Sequence, residues 1–251
     1  MAQAESPADA ATRKVAHYLL RDLNRAVREF GMIRDGDRIA VAVSGGKDSL
    51  ALLRLLQIGR GFSRARYELA AVHVRGDATG VTAAYPPLEA WLQAEGVPYR
   101  IVEPPVANGE TPPLDCQRCT WLRRKALFLA AQELECTVVA YAHHADDVAQ
   151  TTLLNLLYGG SVVTLAPVAD YFSGRFRLIR PLVYIPEKGL ARLARVAGFP
   201  PAPPACPRSG QSARRKIAQM LELLGRDYVS QARPNLIRAG LRDNRNVIRD
   251  T

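Results

Sequence analysis

The sequence of 251 residues predicts an α/β protein, a doubly wound parallel sheet with a helical C-terminal extension. Short β-branched, apolar runs alternate along the chain with longer segments of helical spacing. The first clear run ends in a glycine pair, VAVSGGKDSL at residues 41–50, just ahead of a helix. Such alternation requires right-handed crossovers and a sheet covered on both faces.

The elements follow in order. Residues 12–30 place Val15, Tyr18, Leu19, Leu23, Val27 and Phe30 at helical spacing, and Gly31 is positioned to end that helix. Arg38 to Val43 is a short apolar strand of the kind buried in parallel sheets, and Ser49 to Leu56 resumes helical spacing. The unit then repeats: strand Tyr67 to Val74, helix Pro87 to Ala94, strand Tyr99 to Val102, helix Thr120 to Leu134, strand Thr137 to Tyr141, helix Val148 to Tyr158. Two proline-rich stretches, EPPVANGETPPLDC and FPPAPPAC, block helix and ladder alike and read as loops that deliver Cys116 and Cys206. Ser212 to Leu224 is an amphipathic helix, and the remainder is a basic, loosely patterned tail. The chain divides into a helical segment over 1–35, an α/β domain over 36–200 and a basic C-terminal segment over 201–251.

A hydrophobic content of 48% with 23% charged residues excludes disorder of the whole chain. No apolar run is long enough to cross a bilayer, and the start, MAQAESPADAATRK, lacks the apolar core of a secretory signal, so a cytoplasmic protein without membrane contact is expected. Lys and Arg number 34 against 24 Asp and Glu, a net charge of +10 that suits a polyanionic partner. Residues 214–251 hold nine basic against four acidic residues, half of that net charge. Four cysteines in a reducing compartment point away from disulfides and toward metal or redox chemistry.

A strand that ends in glycines and opens a helix points backbone N–H groups and a positive helix end at one spot, an anion site. Ser44, Gly45, Gly46, Lys47, Asp48 and Ser49 occupy that spot, with spacing that matches neither GxxxxGK[ST] nor GxGxxG. A bare turn needs only the glycines, whereas Lys47, Ser44 and Ser49 add charge and hydroxyls. Cys116 and Cys119 form CxxC, which lets two sulfurs reach one metal, and Cys206 as a third thiolate would leave a coordination position open for chemistry. A zinc site, or a redox dithiol of Cys116 and Cys119, are the competing readings. Cys136, ahead of an apolar strand, reads as a small buried thiol. His143, His144, Asp146 and Asp147 follow a strand at the carboxyl edge where open α/β sheets bind ligands, placed to hold Mg²⁺ against phosphate or to cap the next helix.

SGGKDS resembles the pyrophosphate loop of the PP-loop ATP pyrophosphatases (adenine nucleotide alpha hydrolase-like). Within them the chain is similar to the tRNA 2-thiolation enzymes, above all the tRNA 2-thiocytidine synthetases (TtcA). The similarity runs through GMIRDGDRIAVAVSGGKDS, LDCQRCTWLRRKAL, YAHHADDVAQTTLLNLLYGG and LIRPLVYIPEK to Cys206. It implies that residues 36–200 bind ATP through residues 44–49 and His143, and that Asp48, Asp146, Asp147 and Arg123 are the catalytic groups. It implies Mg²⁺ and a 4Fe-4S cluster on Cys116, Cys119 and Cys206 as cofactors. Implied partners are tRNA, a sulfur donor (a cysteine desulfurase or sulfide) and a second copy in a homodimer. Arg124 and Arg180 match family segments; Arg124 suggests phosphate or adenylate contact, and Arg180 has no derivable role.

Two features depart from the thiocytidine pattern: Gln150 in DDVAQT stands where Glu is usual, and the third cysteine lies in CPRSGQSARRK. Both lean toward the tRNA 2-thiouridine enzymes, whose extra zinc-binding cysteines four cysteines cannot supply. Cytidine in the anticodon loop is the first expectation and uridine the second. A cluster-free, lysidine-synthetase-like pyrophosphatase and a non-catalytic RNA-binding or redox-sensing protein are the other readings.

Overall fold

In the computed structural model, which describes residues 7–76, 84–106, 110, 113–204, 206 and 213–247, the sheet is built from β1 (Asp37–Ala42), β2 (Tyr67–Val74), β3 (Tyr99–Val102), β4 (Val138–Ala140), β5 (Val168–Tyr171) and β6 (Phe176–Ile179). Their order is β3-β2-β1-β4-β6-β5, parallel throughout except for the β5–β6 pair. The winding reverses between β1 and β4, and at that switch point the loops after both strands diverge to leave a crevice.

The strand side chains alternate between two cores. Ile39 and Val41 of β1 join Val138 and Ala140 of β4 in a cluster completed by α1 (Pro7–Glu29), α2 (Lys47–Arg60) and α6 (Glu187–Val196). Ala40 and Val139 face the other way, with Val72, against α4 (Cys116–Glu133). This two-sided burial explains why β1 reads as an unbroken apolar run. Val15, Leu19 and Leu23 of α1 belong to the same main core.

The expected elements are present within a few residues, with α3 (Pro86–Glu95), α5 (Ala145–Gly159) and α7 (Ala213–Leu223) as the remaining predicted helices. Helix α4 starts at Cys116, four residues earlier than Thr120, because Asp115 caps it by accepting the Arg118 N–H at 2.8 Å. Both CxxC cysteines therefore stand on a helical turn, a correction to their expected loop. Three elements were not expected: the β5–β6 hairpin, α6, and α8 (Ala232–Val247), which replaces the loosely patterned tail. A five-residue π-helical turn, Leu224–Tyr228, links α7 toward α8. Among the described residues no helix is long and apolar enough to cross a membrane.

Helix α7 docks on α5 through a small cluster of Ala149, Leu153, Ile217 and Leu221, while Leu241 of α8 reaches the main core. Gly240 lets α8 approach: a Cβ there would strike Thr152 Oγ1 and come within 2.9 Å of Thr164 Cβ. Both threonine hydroxyls already donate to the Val148 carbonyl, at 2.8 and 3.0 Å, and have no room to turn away. Gly240→Ala is expected to destabilise the protein by about 1–3 kcal/mol through overpacking, read as a lower Tm. An unchanged Tm would refute this close packing.

Candidate active site

Residues 43–46 leave β1 in a turn whose closure depends on its own hydroxyls. Ser49 Oγ accepts the Ser44 N–H at 3.1 Å and donates to the Gly46 carbonyl at 2.8 Å, while Gly46 N–H donates to Ser44 Oγ at 3.2 Å. The serines thus shape the loop. Gly46 caps α2 without a side-chain bond, and the first turn of α2 opens beside the crevice that Gly46, Asp48 and Ser49 line. His73 in β2 pins the turn from beneath, its Nδ1 lying 2.7 Å from the Val43 carbonyl.

Gly45 has φ +85°, and a Cβ on it would lie 2.8 Å from Pro203 Cδ. The proline loop that precedes Cys206 is therefore laid directly on the glycine turn. Tyr85 holds the same loop by donating to the Pro201 carbonyl at 2.7 Å. Gly45→Ala is expected to cost about 1–2 kcal/mol from the left-handed backbone and to displace Pro203, lowering both Tm and nucleotide affinity. Unchanged nucleotide affinity would separate this turn from the binding site.

The crevice at the switch point is a cavity of about 420 Å³ lined by Ser44, Gly46, Asp48 and Ser49 of the loop, Thr120, Arg123 and Arg124 of α4, and Tyr141 and His143 after β4. The structure thus brings six of the expected site residues to one cavity, Ser44, Gly46, Asp48, Ser49, Arg123 and His143, with Arg124 beside them. Lys47 lies at its margin, with Nζ 2.7 Å from Glu187 Oε1 and 3.2 Å from Asp48 Oδ2. Burial acts to lower the Lys47 ammonium, but Glu187 and Asp48 together overcome it and raise the group above its usual value. Asp48 is pushed up by burial against the pull of His144 and Lys47, and its Oδ1 is buried without a hydrogen-bond partner. That orphaned oxygen suits a hard cation. Arg123 is anchored by donating to the Gly76 carbonyl at the exit from β2.

The acidic pair has other attachments. Asp146 Oδ2 accepts the Glu187 N–H at 2.7 Å, and its Oδ1 lies 2.9 Å from Arg233 of α8. Asp147 Oδ2 accepts the His144 N–H at 3.0 Å and so caps α5, with Arg214 of α7 3.8 Å from its Oδ1. Both carboxylates join the C-terminal helices to the crevice. Glu187, Arg233 and Arg214 were not singled out from the sequence. No motif marks the first, and the arginines are hidden among many of their kind.

The cysteines lie on separate segments. Cys116 is exposed and Cys119 half-buried, three residues apart on one face of α4, whose next residue Thr120 lines the cavity. Cys206 is half-buried, three residues beyond Pro203. Among the described residues no group of three His, Cys, Asp or Glu stands together as a ready metal site. The pair is fixed by the helix and Cys206 by the proline loop, each held by its own contacts. Cys136 is buried at 3% exposure, and burial pushes its thiol up to about 11.

A profile described as the PP-loop domain matches residues 16–200. The tRNA-cytidine(32) 2-sulfurtransferase of Verminephrobacter eiseniae is 36% identical over 219 residues, 84% of this chain and 68% of that protein. The enzyme of the same name from Citrifermentans bemidjiense is 36% identical over 212 residues, 82% of each chain. Among solved structures, the U34-tRNA thiolase NcsA from Methanococcus maripaludis with its 4Fe-4S cluster shares the fold, with a TM-score of 0.70 and 23% identity over 92% of this chain and 80% of that one.

Proposed function

The chain belongs to the PP-loop domain family and, within it, to the family of the tRNA-cytidine(32) 2-sulfurtransferases, and from that premise we propose that it is an ATP-dependent tRNA sulfurtransferase that replaces the C2 oxygen of a cytidine in the anticodon loop. The observation that carries the reading is the cavity at the switch point, where the glycine turn meets Arg123 and Arg124 of the helix that bears Cys116 and Cys119.

ATP occupies the cavity with its phosphates on residues 44–49. Lys47 neutralises phosphate charge, and Asp48, whose Oδ1 is unpartnered, would hold Mg²⁺, which would supply further charge neutralisation. Arg123, Arg124 and His143 border the nucleotide. The pyrimidine O2 attacks the α-phosphate and pyrophosphate leaves; sulfur then bonds to C2, and the C–O bond breaks to release AMP. The chain's part is mostly positioning and charge stabilisation. Asp146 and Asp147 serve by tying α8, α6 and α7 to the crevice, which narrows the catalytic role expected of them.

The donor chemistry fits a 4Fe-4S cluster held by Cys116, Cys119 and Cys206: all are outside disulfides, two share a helical face beside Thr120 of the cavity wall, and the third follows Pro203, which lies against Gly45. When bound, such a cluster supplies a coordination position for the sulfur to be delivered. The sulfur donor is a cysteine desulfurase or sulfide, a second copy completes a homodimer, and the reaction belongs to the cytoplasm, where thiols stay reduced.

The basic helices α7 and α8 offer phosphate contacts through Arg215, Lys216, Arg238 and Arg242. Trp121, 50% exposed two residues past Cys119, has the Arg118 guanidinium 4.5 Å and the Lys125 ammonium 5.4 Å from its ring, an aromatic-and-cation surface suited to an unpaired base. The test is anaerobic incubation of the protein with ATP, Mg²⁺, sulfide and unmodified tRNA, followed by nucleoside analysis. Formation of 2-thiocytidine with AMP is expected. Gln150 favours the uridine reading, and 2-thiouridine alone would establish it; neither base would overturn thiolation.

A further inference from the structure

Arg180 is buried at 8% exposure just after β6, and its neighbours are unusual for a cation. Its Nε donates to His143 Nδ1 at 3.1 Å, and a terminal nitrogen donates to the Ala166 carbonyl. A guanidinium has donors only and keeps its proton in proteins, so Nδ1 must be the acceptor. The His143 ring is then neutral, with its single proton on Nε2. Tyr141 holds the ring by stacking on it, centroids 5.6 Å apart and planes 21° apart. His143 lines the cavity beside Ser44, Gly46 and Asp48, and its Nε2 has no hydrogen-bond partner among the described residues.

We propose that Arg180 is a positioning residue that locks His143 as a neutral Nε2–H donor to a phosphate oxygen of the bound nucleotide, so that His143 holds the reacting phosphate and does not act as a general base. This rests on the ATP reading of the cavity. A general base needs a free lone pair, and the lone pair of this imidazole is taken by Arg180. A neutral donor also stabilises an anionic oxygen without releasing its own proton, which matches a reaction whose nucleophile is a carbonyl oxygen with no proton to remove. Burial first, and the Arg180 charge second, push His143 down to about 4, which keeps the ring neutral near pH 7.

The test is ¹⁵N spectroscopy of histidine-labelled full-length protein, with His143→Gln to assign the signal. Wild type is expected to show a protonated Nε2 and an unprotonated Nδ1, and a non-hydrolysable ATP analogue should shift Nε2–H and leave Nδ1 in place. Arg180→Met should convert the signal to a mixture of tautomers and lower kcat by about 10²-fold, with KM for ATP changed much less. Arg180→Lys, which keeps a donor, should recover the tautomer and part of kcat. A wild-type proton on Nδ1, a charged ring at neutral pH, an Nε2 indifferent to the analogue, or a tautomer unchanged in Arg180→Met would each overturn the inference. If Arg180→Met does not fold, the wild-type spectra decide. The spectra are read without tRNA, so a protein that shows the tautomer yet thiolates nothing would sink the thiolation reading alone.

Discussion

A Lys47→Ala protein is expected to form AMP in the presence of tRNA at least about a hundredfold more slowly than wild type, the scale on which removing one preorganised stabilising group lowers kcat. The geometry makes this replacement more damaging than loss of a single contact. Lys47 stands between the carboxylates of Glu187 and Asp48, and without it both negative charges face the incoming phosphates. Folding should be little affected, because the ammonium is 36% exposed and such a pair contributes little to stability. The measurement is AMP release under saturating ATP, with Tm as the control. Turnover near the wild-type rate would move the phosphates off residues 44–49.

The second large effect is expected from Cys206→Ser, which should reduce tRNA thiolation to background and lower the iron of anaerobically prepared protein from about four per chain toward none. ATP affinity should survive, because Pro203, rather than Cys206, makes the contact with Gly45. Loss of both activities would mean that the proline loop itself had shifted. Iron and thiolation at wild-type levels would remove Cys206 from the centre and leave the CxxC pair of α4 as the whole thiol site.

The fold could be read from the sequence wherever a local rule and the tertiary environment agree. The β1–loop–α2 unit is the clearest case: the apolar run, the glycine pair and the return of helical spacing each follow from burial on two faces and a tight exit. The β5–β6 hairpin was not legible because it is an antiparallel pair joined by a short turn, outside the strand–helix alternation that revealed the equally short β3 and β4. Helix α6 was hidden by Gly189, which is there for packing: a Cβ at that position would lie 2.8 Å from Leu19 Cδ2 of α1. Helix α8 carries a readable signal, Leu236, Ile237 and Leu241 on one face, that its many Arg and Asn residues obscured.

The candidate site was legible as a set of residues and not as a set of attachments. Ser44 to Ser49 and His143 are placed by two strand exits and Arg123 by α4, all of which the pattern located. What Asp146 holds depends on the Glu187 backbone and on Arg233, both brought in by elements whose docking no local pattern records. The pairing of Arg180 with His143 is of the same kind, since β6 had first to be found beside β4.

The two outermost strands, β3 and β5, are each four residues long. A margin so short offers few unpaired peptide groups to a neighbouring chain, and Arg100 on β3 and Asp170 on β5, both exposed, add charge to each rim. Uncontrolled growth by strand addition, the ordinary route from an open sheet to fibrils, is thereby discouraged at both ends. Self-association of this molecule is left to its helical surfaces, and high protein concentrations should yield discrete assemblies in place of β-rich precipitates.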